Sequence, residues 1–208
     1  MNTVSEDALV VIDMQNDFVT GAMSCPGTED IIDPINRLAS AFDHVLVVMD
    51  WHPADHISLA RNHEGRSHWD EIDVPYGKQL VFHDHCIQGT RGAQLDERLE
   101  LTKAEIIFRK GHRKTTDSFG AFYENDGVPT GFGAYCKARG FRRLYMTGLG
   151  RYGCVLESAL GAAKDGFEVY MVYDATAGDY NVEENNRILE QAGVKWITSE
   201  AVFGQIAV

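Results

Sequence analysis

The sequence predicts an α/β protein, a three-layer sandwich in which a central, mostly parallel six-stranded sheet is covered by helices on both faces. Two observations carry this. Six short runs are close to continuously apolar, as strands covered on both faces must be, and helical segments alternate with them. The runs are ALVVID (8–13), HVLVVMD (44–50), EIIFRK (105–110), RLYMTG (143–148), EVYMVYD (168–174) and KWITS (195–199). Helical patterns fall at 33–42, 131–139, 153–165 and 182–192, and Gly140, Gly166 and Gly193 follow the last three, as helix C-termini favour. Strand and helix in alternation wind into a parallel sheet through right-handed crossovers. The stretch 51–104, rich in His, Gly and Asp, breaks the alternation; a connection that long inside a compact domain is usually functional.

The 208 residues suit one sizeable core, so a single domain is expected over 1–208, with 51–104 as its functional loop region. A formal charge of −12 argues against a nucleic-acid partner, because no basic cluster is available to neutralise a phosphate backbone. It is equally unsuited to an anionic membrane surface, and no apolar run approaches the length of a membrane span. The start, MNTVSEDALVVID, has no basic region ahead of its apolar run and reads as a strand rather than a signal peptide. Cys25, Cys86, Cys136 and Cys154 are widely spaced with no CxxC, which reads as reduced thiols in a cytoplasm.

Ligands of open α/β sheets sit outside the carboxyl ends of the strands, so the last residue of each strand is a candidate before any motif is considered. The first strand ends in Asp13, and the second ends in Asp50 with His52 two residues on. The third ends in Lys110, and the fourth leads through Leu149 and Gly150 to Cys154. An acid, a metal-type pair, a lysine and a thiol converge on one rim. Cys154 opens a helix, where exposed N–H groups and the helix dipole favour thiolate. Position alone leaves two readings open, a nucleophile or a buried structural cysteine. Gly150 and Gly153 leave backbone N–H groups free to face an oxyanion. Lys110 favours the anionic forms of Asp13 and Cys154, and Asp13 can accept the thiol proton.

A second constellation lies in DWHPADH and FHDHC. Asp50, His52 and His85 offer one carboxylate and two imidazoles, a borderline set that suits zinc, iron or manganese. His56 joins them if its segment forms a turn. His63, His68 and His83 lie in the same region; His83 is two residues from His85, which extended geometry turns to the opposite side.

These residues belong to a longer pattern: VIDMQNDF at 11–18, DWHPADH at 50–56, PYG and FHDHCIQGTRGAQL within 75–95, FRKG at 108–111, DSFGAF at 117–122 and GLGRYGCV at 148–155. In this order and spacing the chain resembles the nicotinamidase/pyrazinamidase branch of the isochorismatase-like cysteine hydrolases over nearly its whole length. The resemblance implies a triad of Asp13, Lys110 and Cys154, an oxyanion hole from the Gly150 and Cys154 N–H groups, and metal ligands Asp50, His52 and His85. It implies aromatic ring contacts from Phe18 and from Phe82, where a tryptophan is usual. The implied activity is hydrolysis of nicotinamide to nicotinate and ammonia through a thioester, with one divalent transition metal, zinc first and Fe²⁺ or Mn²⁺ next. A small carboxamide substrate and a homo-oligomer are the implied partners.

Three departures stand out. Arg151-Tyr152-Gly153 replaces the usual Thr-Asp-Tyr, Phe82-His83 replaces Trp-Pro, and Arg91 stands where proline is common. They raise a second reading, an amidase of the same chemistry for another small carboxamide. If that substrate carries a carboxylate, Arg151 could pair with it, with Tyr152 beside it in the substrate site. The alternative places Arg151 in solvent. A reading from another class is a ligand-binding relative that has lost catalysis; the joint presence of Asp13, Lys110 and Cys154 argues against it.

Overall fold

The computed structural model describes residues 5–178 and 181–206; the remainder of the expected 1–208 domain lies outside the described residues. In chain order the elements are β1 (Asp7–Ile12), α1 (Asn16–Val19), α2 (Ile32–Ala41), β2 (Val45–Asp50), β3 (Glu71–Val74), β4 (Gly77–Leu80) and β5 (Ala104–Lys110). There follow α3 (Phe132–Arg139), β6 (Arg143–Leu149), α4 (Cys154–Lys164), β7 (Glu168–Ala177), α5 (Val182–Gln191), β8 (Lys195–Ile197) and α6 (Ser199–Ile206). Six strands form one sheet in the order β5-β2-β1-β6-β7-β8. Every pairing in it is parallel.

The apolar runs explain the layering. Every residue of β1 and β2 is buried. With a side-chain period of two, Ala8, Val10 and Ile12 face one layer while Leu9 and Val11 face the other. The first layer packs Phe132 of α3, Val155 and Ala159 of α4 and Leu189 of α5. The second packs Ile35 and Leu38 of α2 and Val202 of α6. Among the described residues no helix is long and apolar enough to cross a membrane. None of the four cysteines forms a disulfide among the described residues.

The expected strands and helices are present, with ends shifted by a residue or two except in β7, which runs on to Ala177. Three features were not legible, the first being the one-turn helix α1. The antiparallel hairpin β3–β4 lies inside the 51–104 stretch, and its four-residue strands are too short and too polar to announce themselves. The last is α6, hidden because the expected strand 195–199 takes in its first residue, Ser199.

Topology fixes the position of the site. The chain builds β1, β2 and β5 outward in one direction, then returns to lay β6 on the other side of β1 and continues through β7 and β8. The winding therefore reverses between β1 and β6, and the crevice above that reversal is where an open parallel sheet takes its ligand. The two strands approach so closely at their ends that Gly148, at φ +111°, leaves no room for a side chain: a Cβ there would stand 2.0 Å from the Ile12 carbonyl oxygen. Gly148→Ala is expected to cost on the order of 3 kcal/mol or more of stability, combining an unfavourable φ with a backbone clash. A chemical denaturation midpoint equal to that of the unaltered protein would contradict it.

Candidate active site

Of the four strand-end candidates Asp13, Asp50 and Lys110 are buried and Cys154 is half-buried, and each is placed by the sheet. Asp13 follows β1, Asp50 ends β2, Lys110 ends β5, and Cys154 opens α4 after the loop that leaves β6. Parallel register sets Asp50 opposite Lys110. The Lys110 ammonium lies 2.6 Å from Asp50 Oδ1 and 2.9 Å from Asp13 Oδ2, donates to the Ser118 carbonyl at 3.2 Å, and reaches Cys154 Sγ at 3.6 Å. Asp13 is held at φ +54°, a left-handed conformation uncommon for aspartate, with its N–H donating to the Val48 carbonyl. Its contact with Lys110 is an ion pair without hydrogen-bond alignment. Neither carboxylate oxygen has a well-aligned donor among the described residues, and the Lys110 ammonium and the Cys154 thiol are the donors beside it.

This geometry sorts the protons. Burial pushes the Asp13 carboxyl up to about 7; Lys110 works against that rise and Asp50 adds to it. Burial acts in the same sense on Asp50, but Lys110 and His52 outweigh it and hold that carboxyl below its ordinary range. Burial alone would lower Lys110, yet the two aspartates and Cys154 hold it well above its usual value. The Cys154 thiol is raised well above its ordinary value by burial, with Lys110 opposing and Asp13 and Asp50 reinforcing. The resting state is thus a thiol beside a carboxylate that can take its proton near neutral pH.

Asp50 Oδ2 faces His52 Nε2 at 3.6 Å, and donor atoms of Asp50, His52 and His85 all lie within 4.8 Å of one another. His52 Nδ1 donates to the Gly111 carbonyl at 2.8 Å, and His85 Nδ1 donates to the His83 carbonyl at 2.7 Å. In both rings Nδ1–H is committed to a carbonyl, which leaves Nε2 as the nitrogen that a divalent transition metal would take. His56 is not part of this set. It stacks on His52 with ring centroids 4.2 Å apart, and its nitrogens are engaged by Ser58 Oγ at 2.7 Å and the Thr116 carbonyl at 3.3 Å. It forms a separate grouping with His52 and Asp117.

Above these groups opens a cavity of about 260 Å³ whose walls are mainly apolar. Phe18 and Phe82 line it as expected. Trp69 and Phe119 also line it, Trp69 edge-on to Phe82 at 5.4 Å and Phe119 at 6.1 Å from the same ring. Neither was singled out in the sequence. Trp69 is 54% exposed in a loop without periodicity, and Phe119 lies in DSFGAF, where only the motif marked it. Asp117 of that motif also lines the cavity, anchored by Gln79 Nε2 at 3.0 Å. Gln15, fully buried, was missed as well. It accepts the Asp50 N–H at 2.7 Å and donates to the Asp50 carbonyl at 2.7 Å, clamping the main chain of that residue.

The nucleophile loop corrects both expectations for its bulky residues. Arg151 is 6% exposed and reaches neither solvent nor cavity. Its guanidinium turns onto β7, donating to Thr176 Oγ1 at 2.9 Å, to the Tyr173 carbonyl at 2.8 Å and to the Thr176 carbonyl. Tyr152 is buried in the core layer, with its hydroxyl donating to Asn186 Oδ1 at 2.9 Å. Neither lines the cavity, so neither is a substrate contact. The loop shows the cavity only Leu149, Gly150, Gly153 and Cys154. The N–H groups of Gly150 and Cys154 have no backbone acceptor among the described residues, as the start of a helix leaves them.

Residues 7–201 match the Isochorismatase domain family model. The chain is 40% identical over 177 residues to the nicotinamidase of Acinetobacter baylyi, covering 84% of this chain and 83% of that protein. It superposes with TM-score 0.92 and 38% identity on a structure described as an Acinetobacter baumanii nicotinamidase pyrazinamidase, covering 95% of this chain and 98% of that one. A pyrazinamidase of Pyrococcus horikoshii in complex with zinc superposes with TM-score 0.77 at 27% identity, covering 93% of this chain and 99% of that one. With the family model spanning nearly the whole of it, the chain belongs to the isochorismatase-domain family.

Proposed function

We propose that this protein is an amidohydrolase that converts nicotinamide to nicotinate and ammonia through a thioester on Cys154. The observation that carries the reading is the convergence of the Cys154 thiol, the Asp13 carboxylate and the Lys110 ammonium on the floor of an aromatic-lined cavity of about 260 Å³. Similarity to nicotinamidases over most of the chain supports the ring carboxamide as substrate.

Asp13 takes the Cys154 proton as the sulfur attacks the amide carbonyl carbon. The negative charge that forms on the carbonyl oxygen is met by the N–H groups of Gly150 and Cys154. Collapse breaks the C–N bond, and Asp13 returns its proton to the departing nitrogen, which leaves as ammonia. Asp13 then deprotonates a water that attacks the thioester, and the released sulfur recovers the proton. Lys110 keeps its proton throughout and holds the two buried carboxylates in place. Phe18, Phe82, Trp69 and Phe119 bind the flat ring and exclude water. Asp50, His52 and His85 would hold one divalent metal, with zinc first for two imidazoles and a carboxylate and Fe²⁺ or Mn²⁺ accommodated by the same donors. Bound there, such an ion supplies a Lewis acid for the pyridine nitrogen.

The carboxylate-bearing amide is disfavoured. The cation that motivated it is committed to β7, and three carboxylates, Asp13, Asp50 and Asp117, line the cavity.

Cys154→Ala should lower ammonia release from nicotinamide by about 10⁴-fold or more, since it removes the atom that Asp13 deprotonates and that attacks the carbonyl. Release at the original rate would end the thioester scheme. Because burial raises Asp13 to about 7, kcat/KM should fall as pH drops through that value, the protonated carboxyl being unable to accept the thiol proton. A profile flat from pH 5 to 8 would remove Asp13 from the base role. Gly111 holds φ +62°, and a Cβ on it would stand 2.5 Å from His52 Cε1. Gly111→Ala should therefore displace that ring and weaken metal retention by about 10–100-fold, read as zinc stoichiometry against a competing chelator. Retention equal to the unaltered protein would argue that the Gly111 carbonyl does not orient a ligand.

A further inference from the structure

The feature of the active-site loop that the reaction does not use is Arg151. A buried arginine between an oxyanion glycine and a nucleophile has to be doing something for the backbone around it, and β7 shows what. Between Met146 and Gly148, two steps along β6, the partner strand advances from Met171 to Thr176, five steps. Residues 172–175 therefore bulge out of the ladder with β6, although Val172 still pairs with Ile197 of β8, and carbonyls in such a bulge lose their ladder partners. The Tyr173 carbonyl is one of them, the Thr176 carbonyl lies where the ladder with β6 resumes, and the Arg151 guanidinium donates to both. A planar fork with five N–H groups suits this task, because it can serve acceptors in different directions at once. The Tyr173 ring closes over the guanidinium carbon at 4.3 Å, and the Arg151 N–H adds a main-chain bond to the Ala177 carbonyl at 2.8 Å.

What the bulge carries is the far wall of the oxyanion loop. Beyond it β7 rejoins the sheet, with Thr176 beside Gly148 and Ala177 beside Leu149, and the next residue, Gly178, lines the cavity. Gly178 lies so near Gly150 that a Cβ on it would stand 3.3 Å from the Gly150 nitrogen. The 176–178 segment thus packs directly against the Gly150 peptide.

We propose that Arg151 is a positioning residue for the oxyanion hole: its guanidinium fixes the bulged end of β7 against Leu149 and Gly150, and so holds the Gly150 N–H where the charged oxygen forms. The proposal rests on the amidohydrolase reading above. It assigns Arg151 no contact with substrate, so its loss falls on the transition state and leaves ground-state binding in place.

The test compares Arg151→Met and Arg151→Lys with the unaltered, metal-loaded protein. Ammonia release from nicotinamide gives kcat and KM. Affinity for the corresponding pyridine aldehyde reads the oxyanion donors. There the Cys154 S–H adds across the C=O bond, the sulfur bonding to carbon and the proton passing to the oxygen. The rate of Cys154 alkylation by iodoacetamide reads the thiol separately. Arg151→Met should lower kcat by about 10²-fold with KM held within about twofold, and aldehyde affinity should fall in parallel while alkylation is unchanged. Arg151→Lys should recover part of the loss, since an ammonium can reach one carbonyl but cannot span the set.

A folded Arg151→Met with unaltered kcat and aldehyde affinity overturns the proposal. So does a loss of kcat matched by an equal loss of alkylation, which would mean that the nucleophile helix itself had moved. Should the methionine variant fail to fold, the lysine variant decides by the same three readouts. Absence of ammonia release from the unaltered protein would instead overturn the nicotinamide reading, and aldehyde binding would still report on Arg151.

Discussion

A lysine ammonium with no exposure to solvent, held between two buried carboxylates, is the interaction on which the rest of this structure depends. Removing three charges from water is costly, and the arrangement persists only because Lys110 contacts Asp13, Asp50 and the Ser118 carbonyl together. Those contacts need the ends of β1, β2 and β5 side by side, which a parallel sheet in the order β5-β2-β1 supplies and an antiparallel one would not. The same ammonium reaches Cys154 Sγ from the opposite side of the winding reversal. One cation therefore ties the two halves of the sheet at the point where chemistry is to occur, and it leaves Asp13 a carboxylate beside the thiol.

Asp50 transmits that constraint outward. One oxygen faces Lys110 and the other faces His52, so the proton-handling groups and the metal-type donors share a single carboxylate. Its main chain is clamped by Gln15, whose amide also donates to the Ala93 carbonyl at 2.9 Å, fastening the end of the 51–104 stretch to β1. Asp17 adds a second fastening by accepting the Cys86 N–H at 2.8 Å, next to His85. The long loop is thus held at its chemical residues rather than by regular secondary structure. That explains why it lacks hydrophobic periodicity and still presents a fixed donor set.

The sheet and the strand-end residues were legible because both follow from one rule each: apolar runs make buried parallel strands, and their carboxyl ends face the ligand. Asp13, Asp50, Lys110 and Cys154 needed nothing more. His52 and His85 were picked out by donor type, two imidazoles to complement the Asp50 carboxylate, and the resemblance agreed. His56 could not be separated from the ligands by spacing, since only Ser58 and Thr116, remote or silent in the sequence, engage its nitrogens. Trp69 and Phe119 were hidden for the same reason, their place in the cavity being set by the β3–β4 hairpin and the 117–125 loop. Arg151 was misjudged because a charged residue beside a nucleophile suggests solvent or substrate. What claims it is a bulge twenty residues downstream that no local pattern reveals.

That misjudgement says something general about the nucleophile loop. Oxyanion donors made of backbone N–H groups leave no side chain in the sequence, so a segment can exchange Thr-Asp-Tyr for Arg-Tyr-Gly and keep the donors that matter. The exchange changes what holds the peptide in place. Tyr152 enters the core layer and bonds to α5, Arg151 fills the β7 bulge, and Gly153 exposes backbone to the cavity. Each substitution sends bulk away from the thiol. The departures in GLGRYGCV therefore bear on the support of the reacting center and not on the identity of the molecule that enters it, because every atom the loop shows to the cavity belongs to Leu149, a glycine or Cys154 itself.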